Sequence, residues 1–254
     1  MRLFRSHGLG NDYLVLEAGT IHPTRVRAIC DRSTGVGSDG ILEPVPPRKG
    51  ADFGLRIHNP DGSEAEKSGN GLRIYADWLV RRRGAPRTFT VWTPGGVVRC
   101  EVGDEVTVAM GRARFWGPET LAGLEVWRVD VGNPHAVHVG IPTDWQALGA
   151  AVEQAPPGRT NVQFIEAIDR GRVRARVWER GAGHTRSSGS SACAVAMVAC
   201  ALGWTDAAVR VEMEGGDLGV TVRGDPHEGA ELELVGPVEP VAVIEVDEGW
   251  LARR

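Results

Sequence analysis

The chain is poor in cysteine and lysine and has no long apolar run. Its 254 residues include four cysteines, and none of them has the spacing of a zinc motif or of a disulfide scaffold. We therefore expect no structural metal site and a reducing, cytoplasmic location. No apolar run approaches the roughly 18 residues of a membrane span, and Met1–Glu17 lacks the apolar core of a signal peptide. The sequence thus predicts no membrane partner.

The charge balance argues against two further classes of protein. The net charge is only −4 and 42% of the residues are hydrophobic, which is not the composition of an intrinsically disordered chain. The same balance disfavours a simple basic nucleic-acid binder, so we expect no nucleic-acid partner. Arginine supplies nearly all of the positive charge, because Lys49 and Lys67 are the only lysines.

Glycine, in contrast, is abundant, and its placement reveals an internal repeat. The 34 glycines lie in short polar clusters, and four such landmarks recur in the same order about 120 residues later. The paired segments are Gly10-Asn11 with Gly132-Asn133, Gly35–Gly40 with Gly158–Asn161, Arg56–Asn59 with Arg176–Glu179, and Ser68–Gly71 with Ser188–Ser191. One match would be weak, since these dipeptides are common turn signals. Four ordered matches predict two related domains.

Hydrophobic periodicity predicts the class of the fold. Short alternating stretches indicate strands in both halves, and each half contains one clear helix, beginning just after Ser68 and just after Ser188. The second helix is apolar nearly all round, which is typical of a buried helix. We expect an α+β fold with two pseudo-symmetric domains, each a curved, mostly antiparallel sheet around a central helix, and an active-site cleft between them. The predicted domains are residues 1–113 with 240–254, and residues 114–239.

The two Ser-Gly turns are candidate functional sites because each precedes a helix. Free backbone N–H groups at a helix N-terminus bind anions, and glycine permits a close approach of the ligand. Ser68 and Ser188 could instead be ordinary N-caps. Their matching positions in a duplicated fold favour a shared role in holding a carboxylate.

The motifs of this sequence resemble those of the diaminopimelate epimerase family over nearly the whole chain. The motifs that carry the resemblance are Gly8–Tyr13, Asp31–Gly40, Asn59–Glu64, Ser68–Gly71, Gly132–His135 and Glu179–Gly183. The resemblance implies racemisation without a cofactor, in which a thiolate removes an α-proton on one face of the substrate and a thiol returns one on the other. Inverting a carbon needs an acid and a base on opposite sides, and a duplicated fold supplies one from each half.

The sequence departs from the family at the residues that would transfer the protons. Ser68 and Ser188 occupy the positions of the two catalytic cysteines, and a serine hydroxyl is a far weaker acid than a thiol. The chain is either a divergent natural paralogue or a cysteine-to-serine variant. His184 and Ser191, where the family commonly has Glu and Gly, favour the paralogue. His135 and His184 are the remaining candidate catalytic groups, since histidine titrates near neutral pH.

The resemblance also assigns residues that bind substrate. Amides at Asn11, Asn59 and Asn161 match positions that contact the substrate, and Glu179 and Arg180 match the pair that engages its far amino and carboxylate groups. The remaining predicted binding residues are Asn133 and the residues at the two helix starts, Gly69, Asn70, Gly189 and Ser190. We expect no metal ligand among them.

Three functions are compatible with this site. The leading hypothesis is an amino-acid epimerase that acts on LL- or meso-diaminopimelate or a related amino acid. The alternatives are a double-bond isomerase or dehydratase that uses histidine and serine, and an inactive paralogue that binds an amino acid. The expected partner is a small amino acid, and a homodimer is possible.

Overall fold

A computed structural model describes residues 1–253, and the chain divides into two compact units. Unit 1 consists of Met1–Val108 and the C-terminal segment that starts at Pro237, and unit 2 consists of Ala109–Gly236. Arg254, which belongs to the predicted segment 240–254, lies outside the described residues.

The secondary structure is mainly β, with five helices among the described residues. The elements up to residue 102 are β1 (Arg2–Gly8), β2 (Asn11–Leu16), α1 (Pro23–Cys30), β3 (Ile41–Val45), β4 (Phe53–His58), β5 (Glu64–Ala65), α2 (Gly69–Arg83), β6 (Thr88–Thr93) and β7 (Gly96–Val102). They are followed by β8 (Val106–Leu121), β9 (Leu124–Asp130), β10 (Pro134–Val139), α3 (Trp145–Gln154), β11 (Asn161–Asp169), β12 (Arg172–Glu179), β13 (Gly183–Thr185), α4 (Gly189–Ala201), β14 (Ala208–Met213), β15 (Gly216–Arg223), β16 (Ala230–Gly236), β17 (Glu239–Glu245) and α5 (Glu248–Ala252).

In unit 1 the strands are arranged around α2. Strand β1 pairs antiparallel with β2 and β17, β2 pairs parallel with β3, and β3 pairs antiparallel with β4. Helix α2 packs on β1, β2 and β7 and is buried from Gly69 to Leu79. It ends at Gly84, whose φ of 66° is the left-handed conformation that glycine adopts most readily at a helix C-terminus.

In unit 2 the strands enclose α4 more completely. Strand β10 pairs parallel with β11 and antiparallel with β9, and β11 pairs antiparallel with β12. Helix α4 packs against strands on several sides, which explains why its Ala- and Val-rich sequence is buried from Ser191 to Ala199. The second helix, α3, also packs on β11 and β12. The α+β class, with a mostly antiparallel sheet around a central helix in each unit, is confirmed.

Between residues 1 and 253 the structure contains no helix with the length and apolar character needed to cross a membrane.

Candidate active site

Ser68 caps the helix that forms the core of unit 1. Its Oγ accepts a hydrogen bond from Gly71 N at 3.0 Å and lies 3.4 Å from the hydroxyl of Tyr13. Gly71, three residues later, is packed so closely that a Cβ there would lie 3.0 Å from Leu42 and 3.3 Å from Ser68 Oγ. Ser68 is therefore an N-cap, and the capping bond leaves the first amides of α2 available to a ligand. We call this group the Ser68 site, defined by Asn11, Tyr13, Ser68, Gly69 and Asn70.

Two asparagines of the Ser68 site bind each other. Asn70 Nδ2 donates to Asn11 Oδ1 at 2.7 Å, and Asn11 Nδ2 donates to Asp39 Oδ2 at 2.8 Å. Asn70 Oδ1 in turn accepts from Arg73 at 3.1 Å. Both ends of the Asn11 side chain are thus engaged within the protein.

A cluster of arginine and aspartate side chains supports the Asn11 amide. Arg32 donates to Asp12 at 3.0 Å and to Asp39 at 2.6 Å, and Arg5 forms an ion pair with the other oxygen of Asp12 at 2.9 Å. The hydrogen bonds to Asp12 and Asp39 raise the pKa of the Arg32 guanidinium above its ordinary value. The cluster fixes the orientation of Asp39, which fixes Asn11.

Asn59 belongs to a turn beside the Ser68 site. Its backbone N–H donates to Ser63 O at 2.8 Å and its Nδ2 donates to Ser63 Oγ at 3.0 Å. The predicted contact with substrate remains a prediction, because this side chain is bonded to Ser63 rather than to Asn11 or Asn70.

Ser188 caps the central helix of unit 2 in the same way but more weakly. Its Oγ accepts from Ser191 N at 3.5 Å, and the N-terminal residues Gly189 and Ser190 are half-buried. We call the surrounding group the Ser188 site, defined by Asn133, His135, Asn161, Gln163 and Ser188–Ser191.

A chain of neutral side chains runs through the Ser188 site. Gln163 Nε2 donates to Ser191 Oγ at 2.9 Å and to His135 Nδ1 at 3.0 Å, and His135 Nε2 lies 3.1 Å from Asn133 Oδ1. His135, Gln163 and Ser191 are fully buried. Burial lowers the pKa of His135 to about 3, although the hydrogen bond from Gln163 opposes that shift.

The predicted pair Glu179-Arg180 lies next to Asn161. Asn161 Oδ1 accepts from Arg180 N at 3.1 Å, and Asn161 Nδ2 donates to Pro134 O at 3.0 Å. One amide therefore ties Arg180 to the residue that follows Asn133. The Arg180 side chain donates to Gly158 O at 3.1 Å.

A buried carboxylate, Glu153 of α3, supports the turn after Arg180. It accepts hydrogen bonds from Trp178 Nε1 at 2.8 Å, from Gly181 N at 2.7 Å and from Arg159. Burial alone would raise the pKa of Glu153, but the bonds from Trp178, Gly181 and Arg159 outweigh it and lower the pKa.

His184, the second candidate catalytic histidine, bonds to Glu214 and contacts α3. In the strand register His184 lies opposite Trp178, and its ring contacts Trp145 of α3 at 5.0 Å between centroids. Its Nε2 bonds to Glu214 Oε2 at 2.8 Å. Because successive side chains of a strand point to opposite faces, His184 is on the α3 side of these strands. Among the described residues no hydrogen bond joins His184 to Ser188, and a catalytic role for His184 remains a prediction.

Neither serine has an adjacent base. Among the described residues, no histidine, aspartate or glutamate forms a hydrogen bond with Ser68 Oγ or Ser188 Oγ. The same part of the chain, residues 1–253, contains no group of His, Cys, Asp or Glu side chains that could hold a metal ion. Within unit 1 the structure brings Asn11 to Asn70 at the start of α2, and within unit 2 it brings Asn161 to Arg180, but among the described residues it joins neither Ser68 nor Ser188 to a histidine.

The sequence analysis missed four supporting side chains: Asp39, Glu153, Gln163 and Glu214. Gln163 carried a usable signal, because it is a polar residue within the apolar run Val162–Ile165. A polar residue in a buried run needs a partner. Asp39 lies within a quoted motif, but its partner is distant in sequence.

Comparisons with known proteins agree with this arrangement. The family described as "Diaminopimelate epimerase" matches residues 3–116 and 128–241. Diaminopimelate epimerase 2 of Nostoc sp. is 39% identical over 258 residues, covering 89% of this chain and 90% of the relative. The diaminopimelate epimerase of Ectopseudomonas mendocina is 37% identical, covering 95% of this chain and 97% of the relative.

Solved structures share the fold at much lower identity. A probable proline racemase from Agrobacterium radiobacter matches with a TM-score of 0.76 and 15% identity, over 97% of this chain and 93% of that one. A phenazine biosynthesis protein of the PhzF family from Bacillus anthracis matches with a TM-score of 0.75 and 16% identity, over 97% and 99%. The resemblance seen in the motifs is confirmed, and the chain belongs to the diaminopimelate epimerase family.

Proposed function

We propose that the chain is an amino-acid epimerase or isomerase whose ligand is diaminopimelate or a related amino acid. The observation that carries the proposal is the pair of serine-capped helix starts, one in each unit, each followed by glycine. Free amides at a helix N-terminus stabilise a carboxylate. Family membership supports the same ligand class, since the relatives are named diaminopimelate epimerases.

In this proposal the free amides at the start of α2 and those at the start of α4 each offer a helix N-terminus that can stabilise a carboxylate as negative charge develops on it. Glu179 and Arg180 take the far amino and carboxylate groups, because a guanidinium can hold a carboxylate through two parallel hydrogen bonds. Asn133, Asn161, Asn11, Asn59 and Asn70 shape or contact the site. All of these roles are proposals for the positions that match the family.

Proton transfer is the step in which this chain departs from its relatives. Ser68 Oγ and Ser188 Oγ are engaged as caps, and within residues 1–253 neither forms a hydrogen bond with a basic side chain, so neither gives a useful alkoxide at neutral pH. We infer that His135 is not the base either. Its two ring nitrogens already have partners in Gln163 and Asn133, and burial keeps it neutral.

A second candidate function follows from those same contacts: an amino-acid-binding paralogue without turnover. The serine caps preserve the helix starts while removing the thiols. The histidine-based isomerase or dehydratase receives less support, because His184 bonds to Glu214 on the α3 side.

One experiment separates these candidates. Calorimetry measures the binding of LL- and meso-diaminopimelate to the wild-type protein, and proton NMR in deuterated water follows exchange of the α-hydrogen. We expect binding together with slow exchange. Binding with no exchange above the buffer rate would support the binding paralogue, and no binding of either isomer would contradict the proposed ligand class.

We also propose that the protein forms a homodimer in the cytoplasm. Strand β17 is exposed along most of its length, and Val241 and Val243 are 55% and 41% exposed. Exposed apolar side chains on a strand favour association. The four cysteines are free thiols, in keeping with a reducing compartment. Sedimentation of the wild type and of Val241→Glu tests the dimer; a wild type that stays monomeric would contradict it.

A further inference from the structure

The Ser188 site contains one feature that the proposed reaction does not use: the buried chain that links α4 to Asn133. It begins at Ser191 in the first turn of α4, passes through Gln163 and His135, and ends at Asn133. The first three side chains are fully buried, whereas Asn133 is half-buried. The chain therefore connects the helix start to a side chain that solvent and ligands can reach.

The direction of the hydrogen bonds decides what this chain presents at its outer end. Gln163 uses both N–H groups of its amide, one to Ser191 Oγ and one to His135 Nδ1. His135 Nδ1 must then be an acceptor, so the proton of the neutral ring is on Nε2, which donates to Asn133 Oδ1. The carbonyl end of Asn133 faces the protein, and its two Nδ2 hydrogens have no partner among the described residues.

The alternative arrangement, with the Gln163 amide turned over and the His135 proton on Nδ1, is less favourable in this site. As arranged, the only unsatisfied atom of Gln163 is its Oε1, which is buried without a partner. Turning the amide over would leave two N–H donors buried and unpartnered instead of one acceptor. Orphaned donors are rarer in proteins than under-used carbonyl oxygens. The packing thus selects the Nε2–H form of His135.

In unit 1 the position that matches Gln163 is occupied by an apolar residue, Leu42. Leu42 lies opposite Val15 on paired parallel strands, and Gln163 lies opposite Val137 in the matching pair. Where Gln163 bonds to Ser191, Leu42 packs against Gly71, so the contact in unit 1 is apolar. Asn11, the counterpart of Asn133, then has both ends of its amide bound to Asn70 and Asp39.

We propose that Gln163 is a positioning residue, which acts through His135 to hold the Asn133 amide with its two Nδ2 donors turned towards a hydrogen-bond acceptor of the ligand. This assignment rests on the proposed function for the identity of the ligand. In the Ser68 site the corresponding amide, Asn11, already gives one Nδ2 hydrogen to Asp39 and accepts from Asn70 at Oδ1, so it has only one hydrogen left to donate, against two at Asn133. The hydrogen-bonded side chains from Ser191 to Asn133 are all neutral at physiological pH, since burial lowers the pKa of His135 to about 3.

Nitrogen-15 NMR of the histidine rings tests the direction of the chain without any ligand. We expect His135, identified by its loss in His135→Gln, to be the Nε2–H tautomer with shifts that stay constant between about pH 5 and pH 8. The double variant Gln163→Leu/Ser191→Gly copies the packing of Leu42 and Gly71, and should release His135 from that single tautomer. A wild-type Nδ1–H tautomer would overturn the proposal, because Asn133 would then present its carbonyl oxygen.

Binding of meso-diaminopimelate tests whether the orientation of the Asn133 amide matters to the ligand. Asn133→Asp keeps the oxygen that accepts from His135 but removes both donors, so it should weaken binding by about 10-fold to 100-fold. Gln163→Leu/Ser191→Gly should weaken binding by about tenfold, with the thermal stability of the fold largely retained. Unchanged affinity in both variants would overturn the proposal.

The two measurements separate this inference from the proposed function. If the wild type binds no diaminopimelate, the proposed ligand fails, whereas the tautomer of His135 still decides whether Gln163 orients Asn133. If the wild type binds and Asn133→Asp binds equally well, the proposed function stands and the role of Asn133 fails.

Discussion

The Ser68 site and the Ser188 site solve the same structural problem with different chemistry. Both place a serine-capped helix start beside an asparagine that follows a glycine. In unit 1 that asparagine is anchored by ion pairs, through Asp39 and Arg32. In unit 2 it is anchored by a neutral buried chain, through His135 and Gln163. The duplicated backbone is therefore compatible with either network.

The difference affects what each site can offer a ligand. In unit 1 the charged Asp39, which is partly screened by solvent, holds the Nδ2 end of Asn11, and the neutral Asn70 amide holds its Oδ1 end. The neutral chain is fully buried and leaves the Asn133 donors available. Two helix starts that look equivalent in sequence are thus unequal in hydrogen-bonding capacity.

The largest effect on stability is expected when one member of the charged network is removed. Asp39→Ala leaves Asn11 Nδ2 and the backbone N–H of Asp12 without their acceptor and Arg32 with one partner fewer. The free energy of unfolding should fall by about 3 kcal/mol, measured by urea denaturation. Asp39→Asn keeps one acceptor oxygen and should lose less. Equal stability of both variants and the wild type would show that the charges are dispensable.

A pH dependence should distinguish the neutral chain. The pKa of His135 is about 3 in the folded protein and about 6.5 in an unfolded chain, so only the unfolded form takes up a proton between these values. The contribution of the neutral His135 ring to folding stability should be complete above pH 6.5. It should decrease by up to about 1.4 kcal/mol per pH unit as the pH falls towards 3. His135→Gln should remove this component, so the stability difference between wild type and variant should shrink on acidification. A constant difference would contradict the buried, neutral ring.

The smallest expected effect is the difference in unfolding free energy between a variant that removes the Ser68 cap and one that removes the Ser188 cap. Ser68→Ala should cost about 1 kcal/mol of unfolding free energy, because its Oγ accepts from Gly71 N at 3.0 Å. Ser188→Ala should cost about half as much, since its bond to Ser191 N is 3.5 Å long. Chemical denaturation of the two variants in parallel measures the difference. A larger loss for Ser188→Ala would reverse the ranking of the caps.

The sequence predicted the helix starts well because the signals are local. Serine before glycine, followed by a helical apolar pattern, marks an N-cap within a few residues. The all-round Ala and Val content of α4 likewise predicted its burial. The hydrogen-bond networks could not be predicted in this way. Gln163 meets His135 and Ser191 at a separation of 28 residues in either direction, through strand register and helix packing.

His184 also shows that a contact set by strand pairing cannot be predicted from distance along the sequence. His184 is only four residues from Ser188 in the sequence, but strand pairing determines which face its side chain occupies. A shift of one residue in the register would have reversed that face. Sequence proximity therefore could not decide between Ser188 and the partner that the structure shows, Glu214.

We propose that this is an amino-acid epimerase site whose main loss is that of the two thiols. The most direct measurement is α-proton exchange of LL- and meso-diaminopimelate in deuterated water, catalysed by Ser68→Cys/Ser188→Cys. Thiols at helix N-termini ionise far more readily than serine hydroxyls, so the double variant should exchange and interconvert the isomers about 10²-fold to 10⁴-fold faster than the wild type. Either single variant should interconvert them much more slowly. Exchange no faster than in the wild type, with binding intact, would contradict the claim.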